Sequence, residues 1–203
     1  MKHALSTFVS MGTLALALFG ASAFAETASP EPNKLAIGTI TPKGVAEGWV
    51  AAGQKEGKDS VQFEPSDKDN PFATINFKIS GSDGDKGVYA VSPQIPVKYG
   101  TELKLSYQWK GKGLYDSFKD GNRIVCVGKL EFQFFGGTPV RFLNTGAMRL
   151  YFKPSDEFKS EDVGIPVPAE ASYCAFKFTF SRLGESTGED STFVIGDLKL
   201  IEQ

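Results

Sequence analysis

The stretch Leu103-Lys104-Leu105-Ser106-Tyr107-Gln108-Trp109-Lys110 alternates apolar and polar residues without a break. Successive side chains of a strand point to opposite faces. Leu103, Leu105, Tyr107 and Trp109 therefore share one face, and Lys104, Ser106, Gln108 and Lys110 share the other. Two later stretches repeat the pattern. Leu130, Phe132 and Phe134 alternate with Lys129, Glu131 and Gln133, and Cys174, Phe176, Phe178 and Phe180 alternate with Tyr173, Ala175, Lys177, Thr179 and Ser181. A period of two marks half-buried strands.

Working outward, further strand-like runs cover 61–64, 72–79, 88–97, 149–152 and 192–201. Clusters rich in Gly, Asp, Asn, Ser and Pro separate them at 66–71, 80–87, 98–101, 135–139 and 184–191, where such residues make turns. Pro93 and Pro96 predict a break within 88–97, because proline cannot donate to a ladder. No long segment carries a capped helical period, and neither an internal repeat nor a second-domain boundary stands out. Eight or nine antiparallel strands are expected. They need two packed sheets or a closed barrel, and the many inward phenylalanines suit a filled core. The expected fold class is all-β, a two-sheet antiparallel jelly-roll sandwich.

The 203 residues carry 22 Lys and Arg against 24 Asp and Glu, a net charge of −2, with 41% hydrophobic content. That balance argues against a nucleic-acid partner, since such binders usually carry a clear positive excess, and against disorder. Residues 1–25 read as a secretory signal peptide: Lys2 and His3 precede an apolar run densest over 11–19, and Ala23-Phe24-Ala25 supplies a small-x-small cleavage pattern. Cleavage is expected after Ala25, with Ala21-Ser22-Ala23 allowing a cut two residues earlier. Residues 26–33 form a polar lead-in, and 34–203 form the sandwich domain. No later run reaches the roughly 20 apolar residues of a spanning helix. The expected location is periplasmic or extracellular, with no membrane span.

Removing residues 1–25 takes away Lys2 and leaves 178 residues with a net charge of −3. It also removes His3, the one histidine in the sequence. Catalysis or metal binding through imidazole is then excluded. Cys126 and Cys174 are the two cysteines. An exported chain with an even count predicts a disulfide between them, against the alternative of two separate buried thiols. The bridge would close a loop worth roughly 4 kcal/mol in the chain-entropy model.

The order of these features resembles the galactose-binding-like β-sandwiches, and in particular the carbohydrate-binding modules attached to cellulases and xylanases. Gly48-Trp49 precedes the first strong strand, and 95–107 resembles their strand-turn-strand with a glycine turn. Ile165-Pro166-Val167-Pro168 leads into 173–180, and 193–200 resembles their closing strand. The resemblance implies a polysaccharide or glycan ligand and, through Asp197, a structural calcium ion. Two departures count against that calcium: Gly196 stands where an acid is usual, and an early Gly-Phe-Glu motif is absent.

A glycan site needs aromatic planes for sugar faces and polar groups for hydroxyls. The outward residues Gln108, Lys110, Glu131, Gln133, Tyr173 and Lys177 are the candidate surface, although a solvated sheet face uses the same residue types. Trp109 shares parity with Leu103 and Leu105 and is expected in the core, while Trp49, Tyr115 and Phe118 are further aromatic candidates. Asp67/Asp69 and Asp83/Asp85 have an Asp-x-Asp spacing, but neither continues as an EF-hand loop. No catalytic residue is assigned. A jelly-roll glycosidase would need two carboxylates about 5–9.5 Å apart, and only Glu131 is suitably placed. A structural or protein-interaction subunit is the alternative reading.

Overall fold

The computed structural model describes residues 33, 35–53, 59–68, 71–81, 86–119, 122–148, 152, 154–183 and 189–203. The expected signal peptide, most of the lead-in, and Asp69, Asp83 and Asp85 lie outside the described residues. Residues 32–203 make up one compact unit, which carries the strands.

Twelve strands are described. They are β1 (Val50–Ala52), β2 (Ser60–Glu64), β3 (Thr74–Ile79), β4 (Lys86–Val91), β5 (Ile95–Pro96), β6 (Glu102–Lys112), β7 (Tyr115–Lys119), β8 (Asn122–Gly136), β9 (Arg141–Met148), β10 (Ser155–Pro166), β11 (Ala171–Leu183) and β12 (Ser191–Glu202). Every named strand pairing is antiparallel. A seven-stranded sheet runs β1-β4-β11-β8-β7, with β5 on β11 and β9 on β8; a five-stranded sheet runs β10-β6-β12-β3-β2. The fold is an all-β two-sheet sandwich with jelly-roll-like architecture. Among the described residues no helix is long and apolar enough to cross a membrane.

Alternation dictates the core. Leu103, Leu105, Tyr107 and Trp109 on β6 are buried, as are Leu130, Phe132 and Phe134 on β8 and Phe176, Phe178 and Phe180 on β11. Burying a side chain of this size stabilises the fold by about 1.5–3 kcal/mol. Rings from the two sheets meet directly where Phe180 lies 5.9 Å from Phe193, and Trp49, just before β1, stacks on Phe178 at 6.2 Å. Phe152 fills the gap between Trp109 and Phe193, at 4.4 and 4.8 Å. The strand beneath it is bare at Gly128, where a Cβ would stand 2.8 Å from Phe152 and 2.9 Å from Phe193.

One end of the core is closed by a charge. Arg182 continues the inward row of β11 and is fully buried. Its guanidinium donates to the carbonyl of Ser80 at 2.7 Å, that of Glu189 at 3.2 Å and the Ser191 hydroxyl at 2.9 Å. Those bonds tie β11 of one sheet to β12 and the end of β3 in the other. They meet donors on both terminal nitrogens and so lower the cost of burying a cation, while the Nε–H is buried with no partner among the described residues.

The expected disulfide is overturned. Cys126 and Cys174 are both buried and form no bridge. They occupy opposite ends of one ladder: Cys126 faces Arg182 and Cys174 faces Phe134. Eight residue steps of strand separate them, about 27 Å, whereas a disulfide needs Cα atoms within about 7 Å. Both side chains point inward as small apolar residues. Burial pushes the Cys126 thiol above its ordinary pKa.

Candidate functional site

The outward residues of the sandwich form two separate surfaces. Gln108 and Lys110 lie on β6, in the five-stranded sheet, while Glu131, Gln133, Tyr173 and Lys177 lie on β8 and β11, in the seven-stranded sheet. The six residues expected to make one surface therefore divide between opposite faces. Parity along each strand was right, but parity cannot say which strands share a sheet.

On the five-stranded face the predicted residues are engaged locally. The Gln108 amide donates to Asp197 at 3.1 Å, and the Lys110 ammonium sits 4.5 Å above the Phe158 ring. Phe158 in turn meets Phe72 edge-to-face at 5.0 Å. Phe72 reaches there across the backbone of Gly196, where a Cβ would fall 2.8 Å from its ring. Asp197 lies in a β-bulge, where β12 slips against β6 between Gly196 and Lys199. Its φ of 49° is a left-handed value that aspartate tolerates.

That geometry does not fit a calcium ion at Asp197. The carboxylate already accepts the Gln108 amide and the Lys199 ammonium, the latter at 2.9 Å. A fixed cation at that distance repels a second. Hard cations also need several clustered oxygens, and among the described residues no group of three or more His, Cys, Asp or Glu is gathered for a metal.

The seven-stranded face is organised in rows across the strands. Tyr173 on β11 stands opposite Pro96 on β5 and Phe135 on β8, and Phe135 stands opposite Phe142 on β9. Directly opposed residues share a face, so this row is almost wholly aromatic. The rings of Phe135 and Phe142 meet edge-to-face at 5.8 Å, and Phe142 is 52% exposed. The next row is Ala175 opposite Gln133. Ala175 is only 3% exposed despite its outward parity, so larger neighbouring side chains cover it.

Charge follows in the next rows. Lys177 stands opposite Glu131 on one side and Val91 on the other; Thr179 stands opposite Lys129 and Tyr89. Glu131 is clasped from two sides, by Lys129 at Oε1 and by Lys177 at Oε2, the latter at 3.5 Å. Lys177 also lies 4.7 Å above the Tyr89 ring. Burial is the largest single influence on Glu131 and acts to raise its pKa. The hydrogen bond and charge of Lys129, joined by Lys177, outweigh it and hold the carboxyl below its ordinary value. From the Tyr173 row to the Lys177 row is four residue steps, about 13 Å, longer than one hexose ring.

The aromatic candidates outside this face are structural. Trp109 and Trp49 are 5% and 7% exposed, and Tyr115 packs against the core. The Phe118 side chain lies outside the described residues. Sequence reasoning missed Phe135, Phe142 and Tyr89. The turn signal in 135–139 masked Phe135, although alternation from Leu130 through Phe134 already placed it outward, and Phe142 fell in a stretch assigned to no strand.

Comparison with known proteins supports the fold. No family model matches the sequence, and no curated protein matches it. Among solved structures, one carbohydrate-binding module of the β-sandwich superfamily, described for promiscuous specificity, superposes with a TM-score of 0.51. The match has 11% identity and covers 86% of this chain and 63% of that one. The enzymatically active domain of tailspike protein 4 from bacteriophage CBA120 also gives a TM-score of 0.51 and 11% identity, over 77% of this chain and 20% of that one. The chain thus spans under two thirds of either protein. It has the β-sandwich fold found in carbohydrate-binding modules, and the same architecture serves a protein with enzymatic activity.

Proposed function

We propose that this is an exported, non-catalytic module that binds extended polysaccharide on the outer face of the seven-stranded sheet. The observation that carries the reading is the row Tyr173–Phe135–Phe142 with the outward amide of Gln133 in the next row. Aromatic planes match the C–H faces of sugar rings, and the adjacent amide and ammonium groups match hydroxyls. Each such polar exchange with water nets only about 0.5–1.5 kcal/mol, so useful affinity needs several adjacent sugar units. The proposed signal peptide, with its Ala23-Phe24-Ala25 exit, supports export.

Glu131 supports the non-catalytic reading. Its ladder neighbours are Lys177 and Ala147, not a second acid. A glycosidase acid needs a raised pKa, and this one is lowered. The test is a glycan array probed with the protein and with Tyr173→Ala. Polysaccharide binding that weakens in the variant supports the face, and binding unchanged in the variant removes it. A wild type that binds no glycan leaves the protein-interaction reading, which the exposed Val140 and Phe142 at the β8–β9 hairpin favour.

A further inference from the structure

The centre of the aromatic-lined face is rich in donors and poor in acceptors. Both oxygens of Glu131 are taken, one by Lys129 and one by Lys177. An ammonium has three N–H donors, so each lysine keeps donors beyond the one it gives to Glu131. The three groups sum to one positive charge, in a chain whose net charge is −2. They are also partly withdrawn from water, with side-chain exposures of 30% for Lys129, 14% for Glu131 and 28% for Lys177. Charge interactions strengthen as water is excluded.

The rigidity of the cluster adds to this. Lys177 is held from two directions, by Glu131 at 3.5 Å and by the Tyr89 ring at 4.7 Å. Its ammonium is therefore placed before any ligand arrives, which lowers the ordering cost of binding. Gln133 lies two residues from Glu131 on the same strand face, with an amide able to both donate and accept. The unmet capacity of this patch is for an acceptor carrying negative charge.

We infer that the face selects anionic polysaccharide, with a uronate carboxylate seated at Lys129 and Lys177 while neighbouring units stack along Tyr173, Phe135 and Phe142. This rests on the glycan-binding reading and names its ligand class. The uronate carboxylate competes with Glu131 for the same two ammonium groups, so Glu131 acts as an internal mimic of the ligand.

The experiment is affinity electrophoresis of the full-length protein through gels containing polygalacturonate or neutral galactan, for wild type, Lys177→Gln and Glu131→Gln. Wild type should bind polygalacturonate about tenfold more tightly than galactan, as one charge-assisted hydrogen bond implies. The preference should vanish near 1 M salt, where the screening length is about 3 Å. Lys177→Gln should lose most of the preference. Glu131→Gln should gain affinity for polygalacturonate, a gain that partial unfolding cannot produce. Equal binding of both polymers by all three proteins overturns the uronate inference and leaves glycan binding standing. Failure of wild type to bind either polymer overturns the uronate inference, and failure on the glycan array as well overturns glycan binding.

Discussion

Trp109 and Glu161 are joined across the edge of the five-stranded sheet by an indole N–H that donates to the carboxylate at 3.1 Å. The Tyr107 hydroxyl donates to the other oxygen at 2.9 Å. One carboxylate on edge strand β10 thus satisfies the polar atoms of two core aromatics on β6. It also places an inward charge on an edge, a feature that discourages pairing with another chain. Burial, followed by the hydrogen bond to Glu161, raises the Tyr107 hydroxyl far above the ordinary tyrosine range.

Glu161→Leu should therefore destabilise the protein by about 2–4 kcal/mol, because two inward donors lose a charged acceptor. Chemical denaturation should show the midpoint falling with an unchanged slope. A midpoint equal to wild type would mean that water satisfies both donors equally well.

Two thiols should be titratable per chain after unfolding, and neither in the native protein. Cys126 and Cys174 are both buried, and the β8–β11 register holds them apart. A reductant should leave the thermal midpoint unchanged. Absence of thiols in denatured, unreduced protein would contradict this arrangement.

Glycine substitutions should separate by what each new Cβ meets. At Gly196 it falls 2.8 Å from the Ala73 carbonyl, the Phe72 ring and the Thr74 methyl, and the carbonyl is backbone that cannot turn aside. Gly196→Ala should cost about 1–3 kcal/mol. At Gly164 the new atom meets the carboxylate end of Glu102, a flexible side chain that can turn away. Gly164→Ala should shift thermal stability much less, and calorimetry of the two variants gives the comparison.

Acid should weaken the fold in part through Glu131. Its folded pKa is depressed below that of an ordinary glutamate. Its contribution is therefore fully present above the unfolded value and is lost as pH falls through the folded pKa. Glu131→Gln should flatten the acid side of the stability profile below about pH 4.3, the unfolded glutamate value. Asp162 and Asp190, also lowered by hydrogen bonds from Ser106 and Lys78 respectively, remain in both proteins, so the difference isolates Glu131. Coincident profiles would show that the lysine clasp does not distinguish folded from unfolded chain.

Alternation alone determined the fold class and the side of each central strand that enters the core. The inward rows of β6, β8 and β11 are the apolar sets read from 103–110, 129–134 and 173–181. The break at Pro93 was legible too, since β4 ends at Val91 and β5 begins at Ile95. The strand count was not legible: twelve are described where eight or nine were expected. Edge strand β10 carries Ser155-Asp156-Glu157-Phe158-Lys159-Ser160 without a period of two, because a bulged edge strand near solvent needs little apolar patterning.

Sheet membership belonged to tertiary structure. A period of two states which residues share a face of one strand, but it says nothing about which strands become neighbours. Gln108 and Glu131 have equivalent parity and lie on opposite surfaces because β6 pairs with β10 and β12, while β8 pairs with β11, β7 and β9. The same limit governs the cysteines, whose separation is set by the register of β8 on β11. It governs the aromatic row as well: Tyr173, Phe135 and Phe142 become neighbours through the ladders that join β11 to β8 and β8 to β9. Parity is a local property of backbone geometry, whereas pairing and register are chosen by how all the apolar faces bury one another together.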